Sequence, residues 1–335
     1  MGQGIGQKQE RVAHDLPAVS VVIPVKNEAT RIQACLEGIL RQTHQVMEIL
    51  VIDSGSRDGT QELAAAFPRT RVIQILPEEF NHGETRNLGV RQARGELILM
   101  TVGDARAVDE LWLERMLREL ADPWVAAVCG LQVVPHDPGT NPVEWFSPAT
   151  THPTSRRYSW GSAASFDAEE PATKRQACAW DNVTALYRRV RLVEQPFPRI
   201  TYGEDIVWAQ QALLRGWALV YTPTARVYHF HLESRQTACK KSVVGCCLRY
   251  LLLGYRTPGI ALFPRLLRTL ALLWRKPELA LSERWRWWRY NLQLALGLND
   301  GVRAFQQALQ QGGGAVTLLL ERHGGTPPRP VDKAD

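Results

Sequence analysis

Short apolar runs alternate with amphipathic segments between residues 19 and 100. Four runs of five to seven residues have the composition of buried strands: Val19–Val25, Glu48–Ile52, Arg71–Leu76 and Glu96–Met100. The segment after the first run carries apolar side chains at helical spacing (Ile32, Leu36, Ile39 and Leu40). Buried strands that alternate with amphipathic helices predict a parallel sheet with crossover helices.

Polar side chains follow these strands at the points where they end. Asn27 and Glu28 come after the first strand, Asp53 and Asp58 after the second, and Asp104 after the fourth. Ligands of open α/β sheets bind outside the carboxyl ends of the strands. The sequence therefore predicts a binding site along this edge.

The rest of the chain divides by composition. Residues 1–16 are a polar lead-in, and strand and helix patterns continue from 17 to 235. Within them, a helix is expected at Gly203–Gly216, which a glycine closes, and the last short strands at Ala218–Tyr221 and Ala225–His229.

Residues 135–175 are rich in turn-forming residues and contain scattered aromatic side chains. Long irregular loops inside compact domains are usually functional or disordered. The aromatics favour a loop that orders over a ligand; they are Trp145, Tyr158, Trp160 and Phe166.

Positive charge is concentrated in the last third of the chain. The 335 residues carry a formal net charge of +6, and residues 235–290 hold 12 Lys and Arg against Glu278 and Glu283 only. We expect a basic, Trp-rich helical extension over 236–311 and a flexible tail over 312–335, which is rich in Gly and Pro. The extension either packs on the preceding domain or lies on an anionic membrane surface, and the second interpretation is favoured. Nucleic-acid binding is not expected, since basic residues alternate with aliphatic ones and no recognition module is present.

Cysteine usage and hydropathy predict a cytoplasmic protein. Six cysteines show no regular spacing, which is typical of small buried residues in a reducing compartment. The first residues lack the apolar core of a signal peptide, and arginines interrupt the longest apolar stretches, so no membrane span is expected. Any membrane contact would then be peripheral, on the inner face of the plasma membrane.

A divalent-cation site is one interpretation of Asp104 and two histidines. A carboxylate at a strand end can bind Mg²⁺ or Mn²⁺ and leave positions for phosphate, although Asp104 could equally cap the next helix. In Tyr228-His-Phe-His231, both imidazoles fall on one face of a strand, so His229 and His231 could complete the site.

The other chemistry-bearing positions also have two interpretations. Asp53 can accept a hydrogen bond from a pyrimidine N–H, whereas Asp58 fits a structural turn better. Arg86 could neutralise phosphate. Glu204 and Asp205 begin a helix, where the helix dipole favours acidic residues; two carboxylates exceed what a cap needs, so Asp205 could be a general base.

Taken together, these segments resemble family-2 glycosyltransferases of the GT-A fold, a Rossmann-like, mostly parallel α/β fold for nucleoside-diphosphate sugars. The resemblance covers about residues 19–235 and is carried by four motifs: Val22-Ile-Pro-Val-Lys-Asn-Glu28, Val51-Ile-Asp-Ser-Gly-Ser-Arg-Asp-Gly-Thr60, Gly95-Glu-Leu-Ile-Leu-Met100 and Gly203-Glu-Asp205. A narrower resemblance is to bacterial rhamnosyltransferases. It rests on Phe80-Asn-His-Gly-Glu-Thr-Arg-Asn-Leu-Gly89, Tyr202-Gly-Glu-Asp-Ile-Val-Trp208 and Val227-Tyr-His-Phe-His231.

The resemblance implies a role for each matching residue. Residues 17–105 would form the donor half and 106–235 the acceptor half of a catalytic domain. Asp205, with Glu204 beside it, would be the catalytic base of an inverting transfer to a hydroxyl of a glycan or a lipid-linked acceptor in cell-surface polysaccharide synthesis. The implied donor-binding residues are Pro24, Glu28, Asp53, Arg86 and Asp104, and the implied ligands of Mn²⁺ or Mg²⁺ are Asp104, His229 and His231.

One departure from the family pattern affects the metal and leaves rival functions open. Val102 stands where the usual Asp-x-Asp motif has its first aspartate, which predicts weaker metal binding. The branch resemblance implies dTDP-L-rhamnose as the donor; the rivals are a UDP-hexose donor and a non-catalytic nucleotide-sugar-binding scaffold. The retained Glu204, Asp205 and both histidines argue against the scaffold.

Overall fold

The computed structural model describes residues 17–146 and 154–327. The predicted lead-in, residues 147–153 and residues 328–335 lie outside this part of the chain. Its strands are β1 (Val19–Val25), β2 (Glu48–Asp53), β3 (Thr70–Gln74), β4 (Leu97–Met100), β5 (Arg106–Ala107), β6 (Val125–Val133), β7 (Arg156–Tyr158), β8 (Ala185–Arg188) and β9 (Ala218–Tyr228).

The helices cover both faces of the strands and then continue as a separate layer. They are α1 (Ile32–Leu40), α2 (Thr60–Ala65), α3 (His82–Gln92), α4 (Trp112–Glu119), α5 (Ala163–Asp167), α6 (Pro171–Ala177), α7 (Arg189–Glu194), α8 (Glu204–Leu214), α9 (Arg235–Leu253), α10 (Leu262–Trp274), α11 (Leu281–Gln310) and α12 (Gly313–Arg322). Short 3-10 turns lie at Pro77–Glu79 and Glu144–Phe146.

The described strands form one mixed sheet in the order β3-β2-β1-β4-β8-β6-β9-β5, with β7 beside β9. The first four are parallel, as their apolar runs predict. Both faces of β1 are buried: Val21 and Ile23 pack into one core cluster, and Val22 packs into the other. Burial on both faces explains why these strands are continuously apolar rather than alternating.

The second half of the sheet is less regular. β8 runs antiparallel to both β4 and β6, whereas β6 and β9 are parallel. The two short strands expected at 218–221 and 225–229 are one strand, β9, which continues through Pro223. A register shift against β6 between Cys129 and Leu131 accommodates the irregular pairing.

Two expectations about irregular segments are wrong. Residues 313–322 of the predicted flexible tail form α12, whose Val316 and Leu320 are buried in a third core cluster with α9 and α11. In the 135–175 segment, Tyr158, Trp160 and Phe166 pack together and against the core instead of over a ligand site.

Two further features concern the helices and the cysteines. No helix in the described ranges combines the length and hydropathy needed to cross a bilayer. All six cysteines are free thiols, and only Cys239 is not fully buried.

Candidate active site

A cavity of about 500 Å³ opens at the carboxyl ends of the central strands. It collects nearly all the residues that the sequence singled out: Pro24, Glu28, Arg86, Asp104, Glu204, Asp205, His229 and His231. Asp53 is the exception, since it lies fully buried behind Ser54, which lines the cavity. The topology therefore joins residues from both halves of the sequence.

Asp104, His229 and His231 form a compact cluster of oxygen and nitrogen ligands. The Asp104 Oδ2 atom lies 2.9 Å from His231 Nε2, and Oδ1 lies 3.5 Å from His229 Nε2. All three ligand atoms are within 4.8 Å of one another. The histidines lie just past the end of β9 rather than within a strand, and their Nε2 atoms are 3.0 Å apart.

A hydrogen-bonded chain behind this cluster orients His229. The His229 Nδ1 atom is 2.6 Å from Gln132 Oε1 on β6, and Gln132 Nε2 donates to Asp181 Oδ2. Because the Gln132 oxygen can only accept, His229 carries a proton on Nδ1, and its Nε2 atom faces Asp104 and the cavity. A neutral imidazole that carries its proton on Nδ1 is the form that binds a metal ion through Nε2.

The electrostatics of Asp104 favour a negative charge. Its side chain is only 7% exposed, and burial raises its pKa, but the hydrogen bonds and charges of His229 and His231 outweigh burial and hold the pKa well below its usual range. The hydrogen bond that His231 donates to Asp104 in turn raises the pKa of His231. In this structure the carboxylate and imidazoles stabilise one another as an ion-paired cluster.

A second carboxylate cluster lies at the start of α8. Glu204 makes a 3.0 Å ion pair with Arg86, both side chains being 6% exposed, and it accepts a 3.2 Å hydrogen bond from Asn182. Asn182 is itself held by the Tyr187 hydroxyl. Glu204 is thus fixed from two sides, and its ion pair occupies the Nη1 atom of Arg86.

Asp205 has no comparable cationic partner. Burial is the main cause of a pKa well above its usual range, and the charges of Glu204 and Asp181 add to this effect, whereas Arg86 opposes it. Within the described residues, its Oδ1 atom accepts a hydrogen bond from the Ile206 N–H at its own helix end. A carboxylate with a raised pKa is suited to accept a proton.

Two glycines provide backbone conformations and space that other residues would not allow beside these clusters. Gly203 precedes α8 with φ of +81°, a left-handed conformation that side chains other than glycine rarely adopt. At Gly103, a Cβ atom would lie 2.9 Å from the Val25 side chain and 3.1 Å from that of Glu28. The glycine beside Asp104 thus lets the loop approach β1 closely.

The strand-end loops of β1 and β2 hold each other in place. Asn27 adopts φ of +56°. Its backbone N–H donates to Ser56 Oγ, and its side-chain Oδ1 accepts a hydrogen bond from the Arg57 N–H. Asp58 accepts from Ala29 N and Thr60 N, as its structural interpretation predicts.

Asp53 and Glu28 have distinct surroundings at these strand ends. Asp53 Oδ1 accepts from Gly55 N, Ser56 N and Gln61 Nε2, whereas its buried Oδ2 has no protein partner within the described ranges. The pKa of Glu28 is raised, mainly by burial and then by the charge of Asp104, while Arg31 opposes this shift.

Four residues at the site could not be identified from the sequence. Gln132, Asp181, Asn182 and Arg31 belong to no motif, yet they contact the two clusters; Arg31 Nη1 lies 3.5 Å from Asp104 Oδ2. Only Asp181 carries a hint, because it follows the apolar Ala-Cys-Ala-Trp run.

Comparisons with known proteins agree with this architecture. Residues 20–166 match the family described as Glycosyl transferase family 2. Two O-antigen chain rhamnosyltransferases are similar: RfbN of Salmonella typhimurium is 30% identical over 64% of this chain and 66% of its own, and WbaN of Salmonella anatum is 29% identical over 64% and 67%. Glycosyltransferase AglE of Haloferax volcanii is 32% identical over 62% of this chain and 64% of its own length. The chain thus matches about two thirds of the length of these relatives.

Solved structures show the same fold at low identity. The mannosyltransferase PcManGT of Pyrobaculum calidifontis, in complex with GDP-Man and Mn²⁺, has a TM-score of 0.51 at 19% identity, covering 92% of this chain and 80% of its own. S. aureus TarS 1–349 in complex with UDP has a TM-score of 0.51 at 15% identity, covering 87% and 91%. With the strand-end motifs, these comparisons identify residues 20–166 as a glycosyl transferase family 2 domain and show that the chain has the GT-A fold.

Proposed function

We propose that this protein is an inverting glycosyltransferase that moves a sugar from a nucleoside diphosphate, dTDP-L-rhamnose, to a hydroxyl of a glycan or lipid-linked acceptor in cell-surface polysaccharide synthesis. One observation carries the proposal. A single cavity of about 500 Å³ contains both a carboxylate–imidazole cluster and a second carboxylate with a raised pKa. The rhamnosyl donor rests on the similarity to the two O-antigen rhamnosyltransferases.

Asp104, His229 and His231 fit a divalent cation. Their ligand atoms lie within 4.8 Å of one another, and Gln132 orients His229 so that its Nε2 atom faces the other two ligands. Carboxylate and imidazole suit Mn²⁺, and Mg²⁺ is the alternative. When bound, the cation would neutralise charge on the donor diphosphate. A single carboxylate predicts modest affinity.

The nucleotide and phosphates of the donor have two candidate partners. Asp53 Oδ2 is a buried acceptor without a protein partner, which suits an N–H of the thymine ring approaching past Ser54. Arg86 Nε is likewise buried and unpartnered among the described residues, so the guanidinium can donate to a phosphate oxygen while Glu204 holds its Nη1 atom. Pro24 and Glu28 also line the cavity.

Asp205 is the proposed general base. The acceptor oxygen attacks the anomeric carbon as its proton passes to the Asp205 carboxylate, and the bond from that carbon to the diphosphate oxygen breaks on the opposite face. The nucleoside diphosphate leaves with the bonding electrons. Glu204 is a positioning residue in this scheme, because its charge raises the pKa of Asp205 and its ion pair fixes Arg86.

A ligand panel tests the donor. We expect dTDP-L-rhamnose with Mn²⁺ to stabilise the protein by about 2.7 kcal/mol at roughly one hundred times its dissociation constant, and UDP-glucose, UDP-galactose, UDP-GlcNAc and GDP-mannose to stabilise it far less. The readout is the thermal midpoint, followed by nucleoside-diphosphate release with an acceptor extract. A shift with a UDP-sugar would retain the enzyme class and refute the rhamnosyl donor. Binding without any transfer would favour the scaffold.

A further inference from the structure

An apolar stripe runs along the outer face of α10. Its members recur at helical spacing, and Phe263 and Leu267 are 72% and 50% exposed, far more than core residues. The stripe consists of Phe263, Leu267, Leu270 and Trp274. A different face of the helix carries Thr269 and Leu273, which are buried against the protein. The helix therefore has two apolar faces, and only one of them is covered within the described residues.

The stripe continues onto the start of α11. The Trp274 and Trp285 rings meet edge to face with centroids 5.1 Å apart. Leu281 and Trp285, one turn apart on α11, are 63% and 48% exposed. We call the stripe together with Leu281 and Trp285 the docking face.

Positive charge surrounds this docking face. Residues 262–290 contain seven Lys and Arg but only two Glu, so most of the chain's net charge of +6 lies here. Arg265, Arg268 and Arg275 are exposed on or directly after α10. Long arginine side chains can place their charges among lipid head groups while an adjacent apolar face enters the bilayer, and tryptophan favours that interface.

Helix α11, which carries Leu281 and Trp285 of the docking face, also contacts the rim of the cavity. Five residues beyond Trp285, the Tyr290 hydroxyl accepts a 3.1 Å hydrogen bond from Glu233 N, two residues past His231. Asn291 exchanges hydrogen bonds with Asn141 in the loop after β6. If the docking face bound a surface, the rim of the cavity would therefore lie close to that surface.

We infer that the docking face binds the surface of an anionic bilayer, with the apolar stripe in the interface and the arginines at the lipid phosphates. Charge complementarity and tryptophan content select this occupant over a second copy of the chain, whose docking face would be equally cationic. The purpose of the contact rests on the lipid-linked acceptor proposed above, whereas the binding itself needs neither donor nor turnover.

Co-sedimentation of the full chain with vesicles tests this inference. We expect binding to phosphatidylcholine vesicles containing about 30 mol% phosphatidylglycerol, weak binding to phosphatidylcholine alone, and release as salt rises from about 50 to 500 mM. The double substitution Phe263→Ser/Trp285→Ser should weaken partitioning at least roughly tenfold. Its control, Trp124→Ser/Leu318→Ser, removes side chains that are 76% and 55% exposed elsewhere and should have no effect.

A second pair of variants isolates the charge. Arg268→Gln/Arg275→Gln should weaken binding about 25-fold at low salt, since each cation near an anionic surface contributes a factor of about five. Arg303→Gln/Arg322→Gln removes two exposed arginines outside the docking face and should leave binding unchanged.

Three outcomes would overturn the inference. They are no binding to anionic vesicles at low salt, equal losses in test and control variants, and a dimer in light scattering that Phe263→Ser/Trp285→Ser converts to a monomer without any vesicle binding. The last result would identify a second copy of the chain as the occupant. Donor stabilisation in solution is measured separately, so failure here leaves the proposed transfer reaction intact.

Discussion

Two carboxylate clusters share one cavity, and their surroundings affect them in opposite ways. At the first, His229 and His231 hold the pKa of Asp104 well below its usual range despite burial. At the second, burial and the charges of Glu204 and Asp181 raise the pKa of Asp205 well above it. The same side chain is thus stabilised as an anion in one place and as an acid in the other.

The difference follows from the neighbours rather than from the residue type. Asp104 has two imidazoles as partners, whereas Arg86, the cation that faces the second cluster, is already paired with Glu204. Groups whose pKa values are displaced in opposite directions commonly divide binding and acid–base roles. This contrast supports the proposal that the Asp104 cluster binds the cation and that Asp205 accepts the proton.

Asp205→Asn should have the largest effect. Without a base, turnover should fall by roughly 10²–10⁴-fold, because the amide cannot accept the acceptor's proton. Donor affinity should stay within about twofold, since Asp205 makes no contact with the Asp104 cluster in the proposed scheme. Product release and donor titration on the same preparation measure the two quantities. Glu62→Gln, on the exposed surface of α2, is the control, and retained turnover in Asp205→Asn would refute the base assignment.

Gln132→Met should have an intermediate effect. Methionine keeps the length of the side chain but removes the oxygen that His229 Nδ1 contacts at 2.6 Å, so the imidazole loses its fixed tautomer. Loss of such a partner typically weakens metal affinity by about 10- to 100-fold. Mn²⁺ titration followed by electron paramagnetic resonance measures the affinity, and ¹⁵N shifts of His229 report the tautomer. The matched control is Gln311→Met on the surface; equal affinities in both variants would count against an orienting role.

The smallest expected effect is on the pH dependence of the free energy of unfolding, which should differ between substitutions in the two clusters. Asp205 has a raised pKa in the folded state, so its contribution is full below about pH 3.9 and is lost as pH rises through the folded pKa. Asp205→Asn should therefore gain stability relative to the wild type as the pH rises from 4 to 8.

Asp104→Asn should show the opposite sign over the same range. The lowered pKa of Asp104 contributes stability above about pH 3.9, and this contribution declines as pH rises through the raised pKa of His231, which removes the imidazolium. The variant should be less stable than wild type near pH 5, with a deficit that shrinks toward pH 8. Urea unfolding at several pH values measures both variants; deviations of the same sign would contradict the comparison.

The sequence predicts much of the fold, and it singles out the two carboxylates but not the residues around them. Asp104 and Asp205 are detectable because each adjoins a strong local pattern, a buried strand and an amphipathic helix closed by a glycine. The residues around them cannot be detected from the sequence. Gln132 and His229 are 97 residues apart, and Arg86 and Glu204 come together only when the chain folds. Contacts of that kind leave no periodicity in the sequence.

The errors in secondary structure have the same origin. Gly312–Gly314 has the composition of a flexible linker, yet α12 forms because Val316 and Leu320 are buried against α9 and α11, and that packing outweighs the poor helix propensity of glycine. The aromatics of residues 158–166 were expected at a ligand because their partners, such as Tyr221, lie far away in the sequence.

Mn²⁺ titration of the wild type, Asp104→Asn and Asp205→Asn, each with nucleoside diphosphate present, tests the division of roles most directly. The account predicts that Asp104→Asn weakens the Mn²⁺ dissociation constant by at least about tenfold, because the site loses its only carboxylate, while Asp205→Asn stays within about twofold of wild type. Equal losses in the two variants, or an unchanged constant in Asp104→Asn, would contradict it.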